Sequence, residues 1–355
     1  MDTNRTGTPD KELHLVTGGA GFIGSHVVAE LVRLGKRVRV LDNFSTGTWE
    51  NLERIVGAET YIQMIEGDIN NRFDVSNAMN GASHVYHLAA LTSVQGSTAN
   101  PCGYEKTNVL ATVSLLEEAF LQKIKRFIFA SSCSIYGNND ELLTESWGAE
   151  PESFYAFTKA SGEGYCDIFR SILKVPTTSL RLFNVFGPRQ KTDGGYPAVI
   201  PAFIKSILSG KQPTIYGNGE QTRDFIFVET VAKAFVAAAN LPSGRVPRAI
   251  NVCSGSETTL NYLFAMISKI CGSGVVPKKE PARVGDVEHS LGDATYMHTL
   301  LKLEIGDLEE QLEKTVRYYQ GQQCTPESSS VAASAPPDFL GRLSSRWGMR
   351  RFWST

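Results

Sequence analysis

Residues 153–160, SFYAFTKA, place Tyr155 and Lys159 four positions apart. On a helix two such side chains share one face. A phenol ionises near pKa ~10 and is a poor base at neutral pH. A neighbouring ammonium stabilises the phenolate and lowers that value. A second stretch, FASSCSIYG at residues 129–137, sets small hydroxyl side chains directly after the apolar run RFIFA, with no acid beside them.

Chemistry of this kind needs a partner that accepts electrons, and the first 70 residues point to one. LHLVTGGAGFIGSH runs from an apolar strand-like segment into Gly18, Gly21 and Gly24, then into a helical pattern. Glycines there allow a tight turn and let the backbone approach a pyrophosphate seated on the helix N-terminus. The next strand-like run, RVRVLD, ends at Asp42, a little beyond the ~20-residue spacing of the acid that holds an adenosine ribose. An acid at that point repels a 2′-phosphate, so NAD is favoured over NADP. Asp68 follows a third strand in EGDI and is placed either to reach adenine or to make an ordinary turn.

The elements that carry these residues alternate. LHLVT, RVRVLD, YIQMIEGD, HVYHLAA and RFIFAS read as strands, separated by helical stretches such as FIGSHVVAELVRLG and TNVLATVSLLEEAFLQ. The expected fold class is α/β, a Rossmann-type doubly wound parallel sheet. After SLRLFNVFGPRQ the alternation loosens, as expected of a smaller C-terminal α/β substrate-binding lobe. The expected division is a frayed N-terminus at 1–11, an NAD-binding domain at 12–183 that also receives 225–252, a substrate lobe within 184–322, and a disordered tail at 323–355. The tail passes from TPESSSVAASAPP to a segment mixing Arg342, Arg346, Arg350 and Arg351 with Leu343, Trp347, Phe352 and Trp353. It reads either as a solvated tail or as a basic amphipathic segment with weak membrane-surface contact.

The 355 residues are 42% hydrophobic and 20% charged with a net charge of −2, which excludes bulk nucleic-acid binding. No two of the six cysteines form a C-x-x-C pair, so no metal site is expected and free thiols of a reducing, cytoplasmic setting are. No secretory signal is expected, and no apolar stretch approaches the ~20 residues of a membrane span.

TGGAGFIG, SSCSIYG and YAFTK, in that order, resemble the extended short-chain dehydrogenase/reductase family over roughly residues 12–320. RLFNVFGPRQ, PTIYGNGEQTRDFIFV and PARVGDVEHSLGD are similar to its nucleotide-sugar epimerase branch. The resemblance implies that Gly18, Gly21, Phe22, Ile23, Asp42, Asn43, Asp68, Ile69, Leu88, Ala89, Ala90, Asn108, Tyr155 and Lys159 hold NAD. It implies that Asn184, Arg223 and Arg283 hold a diphosphate, which suits the planar guanidinium fork. Tyr216 would stack on uracil and Asp286 would take the ribose. Thr92, Ser93, Val94, Ser132, Ser134, Val199 and Ser290 would border the sugar.

The resemblance also answers what the hydroxyl run is for. Ser132 would bond the sugar 4-hydroxyl and share its proton with Tyr155, with Lys159 as the third catalytic group. In the 4,6-dehydratases of the family, and in UDP-glucuronate decarboxylase, an acid follows; here Cys133 and Ser134 stand there. Neither is a useful general acid or base. The reaction left is epimerisation at C4 through a transient 4-keto sugar. By resemblance a bulky Tyr at position 290 excludes N-acetyl sugars, so Ser290 favours UDP-GlcNAc and UDP-GalNAc, with UDP-Glc and UDP-Gal as further substrates. A UDP-uronate 4-epimerase, an NDP-sugar 4-reductase and a non-catalytic NAD-binding scaffold are the alternatives; the Thr92–Ser97 loop lacks the cation a uronate would need. Helices around 107–122 and 153–171 would build a four-helix bundle across a homodimer axis, unless their apolar faces all turn to the chain's own sheet.

Overall fold

A computed structural model describes residues 12–192, 198–242, 246–282 and 288–323. Its strands, in chain order, are β1 Leu13–Thr17, β2 Arg37–Asp42, β3 Ile62–Glu66, β4 His84–His87, β5 Arg126–Ser132, β6 Thr177–Leu182, β7 Asn184–Phe186, β8 Thr214–Tyr216, β9 Thr222–Phe227, β10 Ala249–Val252, β11 Glu257–Thr259 and β12 Lys278–Glu280. Seven of them form one parallel sheet in the order β10-β6-β5-β4-β1-β2-β3. This is a doubly wound Rossmann-type sheet. Its order reverses between β1 and β4, so the loops leaving their carboxyl ends diverge and open a crevice.

A parallel sheet is covered on both faces, so its strands read as unbroken apolar runs. RFIFA shows the division. Phe127 and Phe129 join Leu15, Val85, Leu115 and Cys166 on one face. Ile128 and Ala130 join Val16, Val28, Leu180 and Phe235 on the other. A separate core of Phe186, Phe203, Ile204, Leu263, Leu312 and Val316 holds the smaller lobe. There β7, β9 and β11 form one small sheet and β8 pairs with β12.

Two local features place the chemistry. The Phe154–Ile172 helix starts where it does because Ser153 Oγ accepts the Ala156 N–H at 3.1 Å, a side-chain N-cap that fixes the first turn and Tyr155 with it. The helix before it is not the single α-helical run that TNVLATVSLLEEAFLQ suggests. Glu105–Leu110 is a π-helical turn leading into Ala111–Leu121. The wider turn puts Asn108 in the interior, where its amide finds backbone partners; such bulges collect at functional sites.

Gly162 lets the Phe154–Ile172 helix lie against β5, since a Cβ there would sit 2.5 Å from Phe129 Cζ. Gly162→Ala is therefore expected to lower stability by about 1–3 kcal/mol through overpacking, read as a fall in the thermal unfolding midpoint.

Candidate active site

The crevice over β1 and β4 is a cavity of about 640 Å³. At one end lie Gly18, Gly21, Phe22 and Ile23, with Asp42 and Asn43 after β2, Asp68 and Ile69 after β3, and Leu88, Ala89 and Ala90 after β4. Gly18 has φ +70°, and a Cβ on it would stand 2.7 Å from Ala89 N. Only glycine meets both demands without strain. The Phe22–Arg33 helix that follows begins at Gly21 with no side-chain cap, so its first N–H groups face the cavity as an anion seat. The Asp42 carboxylate braces this turn, accepting Ala20 N–H on Oδ2 and Phe44 N–H on Oδ1, each at 2.9 Å. Two of its lone-pair directions remain for a ligand.

At the other end stand Ser132, Tyr155 and Lys159. Lys159 is 4% exposed and donates from Nζ to the Ala130 carbonyl at 2.8 Å. The same nitrogen lies 5.1 Å from the centre of the Phe129 ring and 5.9 Å from that of Tyr155. Burial pulls the ammonium down from 10.5 to about 8, with the Glu163 charge opposing. Burial pushes the Tyr155 phenol up to about 12, and the hydrogen bond from Ser132 works against that. The lowering of the phenol expected from Lys159 is thus overridden in the protein by itself: loss of solvent around Tyr155 exceeds the stabilisation its neighbours offer. Ser132 Oγ accepts the Ser134 N–H at 3.2 Å and so caps the Cys133–Tyr136 turn, which leaves its proton for Tyr155. Burial raises the Cys133 thiol to about 12, so it stays uncharged.

Several expected site residues fall outside this wall. Asn108 is turned away from the cavity. Its Oδ1 accepts the Leu91 N–H at 2.8 Å, and its Nδ2 donates to Leu91 O at 2.9 Å and Thr158 Oγ1 at 3.0 Å. It ties the β4 loop to the helix of Tyr155 and Lys159, rather than presenting its amide to a ligand. Thr92 lines the cavity, whereas Ser93 caps the Val94–Ala99 helix by accepting the Gly96 N–H at 3.0 Å, and Val94 faces outward. Ser134 is not on the wall, and its Oγ is buried without a hydrogen-bond partner among the described residues.

A second cavity of about 510 Å³ adjoins the first, Val185 and Gln190 lining both. It gathers Asn184, Val199, Tyr216 and Arg223, with Phe203 and Gln221. Asn184 Nδ2 donates to the Asp224 carbonyl at 3.1 Å. Asp224 itself is fully buried, and its carboxylate accepts the N–H of Ser254, Gly255 and Gly292 and the Ser254 hydroxyl. Ser290 is buried and lines neither cavity. Arg283, Asp286, residues 1–11 and the tail from 324 onward lie outside the described residues. Ser131, Gln190 and Lys191 line the first cavity without having been anticipated. Ser131 Oγ is buried and has no hydrogen-bond partner among the described residues. In sequence it looked like one more small strand-end residue.

Residues 14–253 match the model of the NAD dependent epimerase/dehydratase family. The chain belongs to that family. This epimerase/dehydratase-type protein is 34% identical to a UDP-glucose 4-epimerase of Mycolicibacterium smegmatis, over 86% of its own length and 98% of the relative's. It is 31% identical to UDP-glucuronic acid decarboxylase 1 of Xenopus tropicalis, over 88% of its length and 73% of the relative's. Among solved structures it is similar to a UDP-N-acetylglucosamine 4-epimerase of Methanobrevibacter ruminantium in complex with UDP-N-acetylmuramic acid. That match has a TM-score of 0.83 and 39% identity, and covers 88% of this chain and 99% of the other.

The family cofactor, NAD, fits the first cavity. The uncapped helix start suits a pyrophosphate, Asp42 retains acceptors for a ribose, and Gly18 keeps the path between them clear. Among the described residues, one group of three conceivable metal ligands exists, Glu12, His14 and His84. It lies at the amino ends of β1 and β4, opposite the crevice. Its two imidazoles stack face to face at 4.6 Å, so their in-plane lone pairs do not converge, and Lys125 holds Glu12 at 2.6 Å. No described helix is long and apolar enough to cross a membrane.

The depressed Lys159 gives a pH signature. Below pH about 8 both folded and unfolded chains carry the charge and the folded one bears the full cost; between about 8 and 10.5 only the unfolded chain is protonated. Stability from this group therefore rises with pH across that window and levels off above it. The drop corresponds to about 3 kcal/mol at ~1.36 kcal/mol per pH unit. Lys159→Met should be more stable than the parent at pH 7 in cofactor-free protein, and the gap should close by pH 10.5. Denaturant melts at several pH values check this.

Proposed function

We propose that the protein is an NAD-dependent 4-epimerase of a UDP-hexose, acting on UDP-GlcNAc and UDP-GalNAc and also on UDP-Glc and UDP-Gal. The observation that carries this reading is the meeting of Ser132, Tyr155 and Lys159 at one end of the cofactor cavity with no usable acid after Ser132. The carboxylate whose charge bears on Cys133 is Asp224, and its oxygens are already taken by four hydrogen bonds. Elimination or decarboxylation would need a group free to move a proton. The likeness to a decarboxylase therefore reflects the shared first step, oxidation at C4.

In this reading the Tyr155 phenolate, held by a hydrogen bond from Ser132, takes the proton of the 4-hydroxyl and becomes the phenol. Lys159 supplies positive charge from beneath. Bound NAD would supply a hydride acceptor and donor at C4. The 4-keto sugar turns over, and its other face is presented for the return, so there is no net oxidation. Asn184, Tyr216 and Arg223 would hold the nucleotide end in the second cavity, with Arg283 as a further diphosphate contact and Val199 bordering the sugar. The acetamido preference rests on the resemblance at Ser290, which is buried and lines neither cavity. A UDP-uronate 4-epimerase has one observation in its favour: Lys191, on the wall of the first cavity, is a cation that a carboxylate could use.

We further propose a homodimer. Phe154, Phe157, Tyr165, Ile168 and Ile172 are exposed along one stripe of the catalytic helix, and Leu110, Phe120 and Leu121 are exposed near it. The spacing of three and four makes this an apolar seam. A second copy of the same seam completes a four-helix bundle.

Purified protein offered UDP-GlcNAc, UDP-Glc and UDP-GlcA without added cofactor should convert the first to UDP-GalNAc, read by proton NMR at C4. Turnover of UDP-GlcA alone would replace this reading with the uronate one. Consumption of NADH would replace it with a reductase. Tyr155→Phe should lower kcat by at least ~10²-fold with little change in KM. Ile168→Glu should give a monomer by light scattering, and a monomeric parent would sink the dimer.

A further inference from the structure

One buried ion pair beneath the catalytic helix is used by no step above. Arg181 on β6 is 8% exposed. Its Nε donates to both Glu163 carboxylate oxygens, at 3.1 and 3.2 Å, and its Nη2 to Oε2 at 2.9 Å. Its Nη1 donates to the Tyr136 hydroxyl at 2.9 Å, and the guanidinium lies 4.9 Å from the Tyr136 ring centre. Tyr136 in turn donates to Asn251 Oδ1 on β10 at 2.6 Å. One cation thus joins the helix that carries Tyr155 and Lys159 to the turn that carries Ser132.

Glu163 lies one helical turn beyond Lys159 on the same helix. Oppositely charged side chains at that spacing attract, even with the lysine on the N-terminal side. A carboxylate released there would turn to Lys159, cancel its charge and draw Nζ from the Ala130 carbonyl. We propose that Arg181 is a positioning residue whose hold on both oxygens of Glu163 keeps that carboxylate off Lys159, leaving the ammonium in place beneath Tyr155.

The inference rests on Tyr155 and Lys159 being the reacting pair. The groups facing the phenol are Lys159 on its own helix, Ser132 at the end of β5, Cys133 in the following turn and Tyr104 from the Pro101–Tyr104 helix. Lys159 is faced by His87 from β4, which burial holds neutral, and by Glu163. Glu163 is faced by Arg181 and, along its helix, by Asp167. Glu163 is therefore the anion that bears on Lys159, the cation beneath Tyr155.

The test titrates the Tyr155 phenolate in NAD-loaded, substrate-free protein by ultraviolet difference absorbance against Tyr155→Phe. It needs no turnover, so a wrong substrate assignment leaves it intact. In Arg181→Gln the phenol midpoint should rise by about one pH unit or more, and the acid limb of kcat should move with it. In Arg181→Gln/Glu163→Gln both should return to the parent values, whatever the melting temperatures do. A structural role alone would move stability and leave the midpoint where it was. An unmoved midpoint in the single variant, or a raised one that persists in the double, overturns the proposal. Should Arg181→Gln fail to fold, Arg181→Lys replaces it. A point charge cannot hold the carboxylate and Tyr136 together, so a smaller rise is expected, and none would again overturn the idea.

Discussion

Desolvation at the carboxyl end of the sheet is the constraint from which the rest follows. Lys159 is buried and Tyr155 partly buried on the cavity wall, and this loss of solvent leaves the phenol high and the ammonium low. Neither group is tuned for proton transfer by the protein alone. A cationic ring seated in the cavity would lower the phenol, so the family's cofactor would bear on the electrostatics of the pair.

Such a pair works only if its surroundings are fixed, and the fold fixes them with buried polar groups bonded to the backbone. Asn108 fastens Leu91 to Thr158, and hence the cofactor wall to the catalytic helix. Asp42 braces the glycine turn. Asp224 gathers the segments around Ser254 and Gly292 next to Arg223 and Asn184. Each is satisfied by several backbone groups, and a buried polar network that is fully satisfied specifies a single arrangement.

What the sequence made legible was whatever depends on neighbours along the chain. The glycine turn, Asp42 at the end of β2 and the four-residue step from Tyr155 to Lys159 all follow from strand and helix periodicity, and the structure brings them into one cavity. Asn108 is expected from the sequence at the cofactor, while the structure gives its amide to Leu91 and Thr158 on a π-turn that no pattern of apolar residues announces. Ser93 was taken for a sugar contact, yet it serves as a helix cap. The direction of the Tyr155 shift could not be read either. Proximity to Lys159 is visible in spacing, while burial depends on how the β4 and β5 loops close over the phenol.

The order in which the sheet is assembled carries a consequence of its own. Its last strand, β10, pairs with β6 through Ala249 and Ser179, and the strands and helix of the smaller lobe, β7, β8, β9 and Val199–Leu208, are threaded between them. During synthesis the chain reaches β6 long before its neighbour exists. The edge of a nearly finished sheet, with free N–H and C=O groups and apolar faces, must wait for some 70 residues to emerge. Such an edge is where chains join one another. A chain cut before Ala249 would keep every residue of the glycine turn and of the helix that carries Tyr155 while leaving β6 unpaired along that edge.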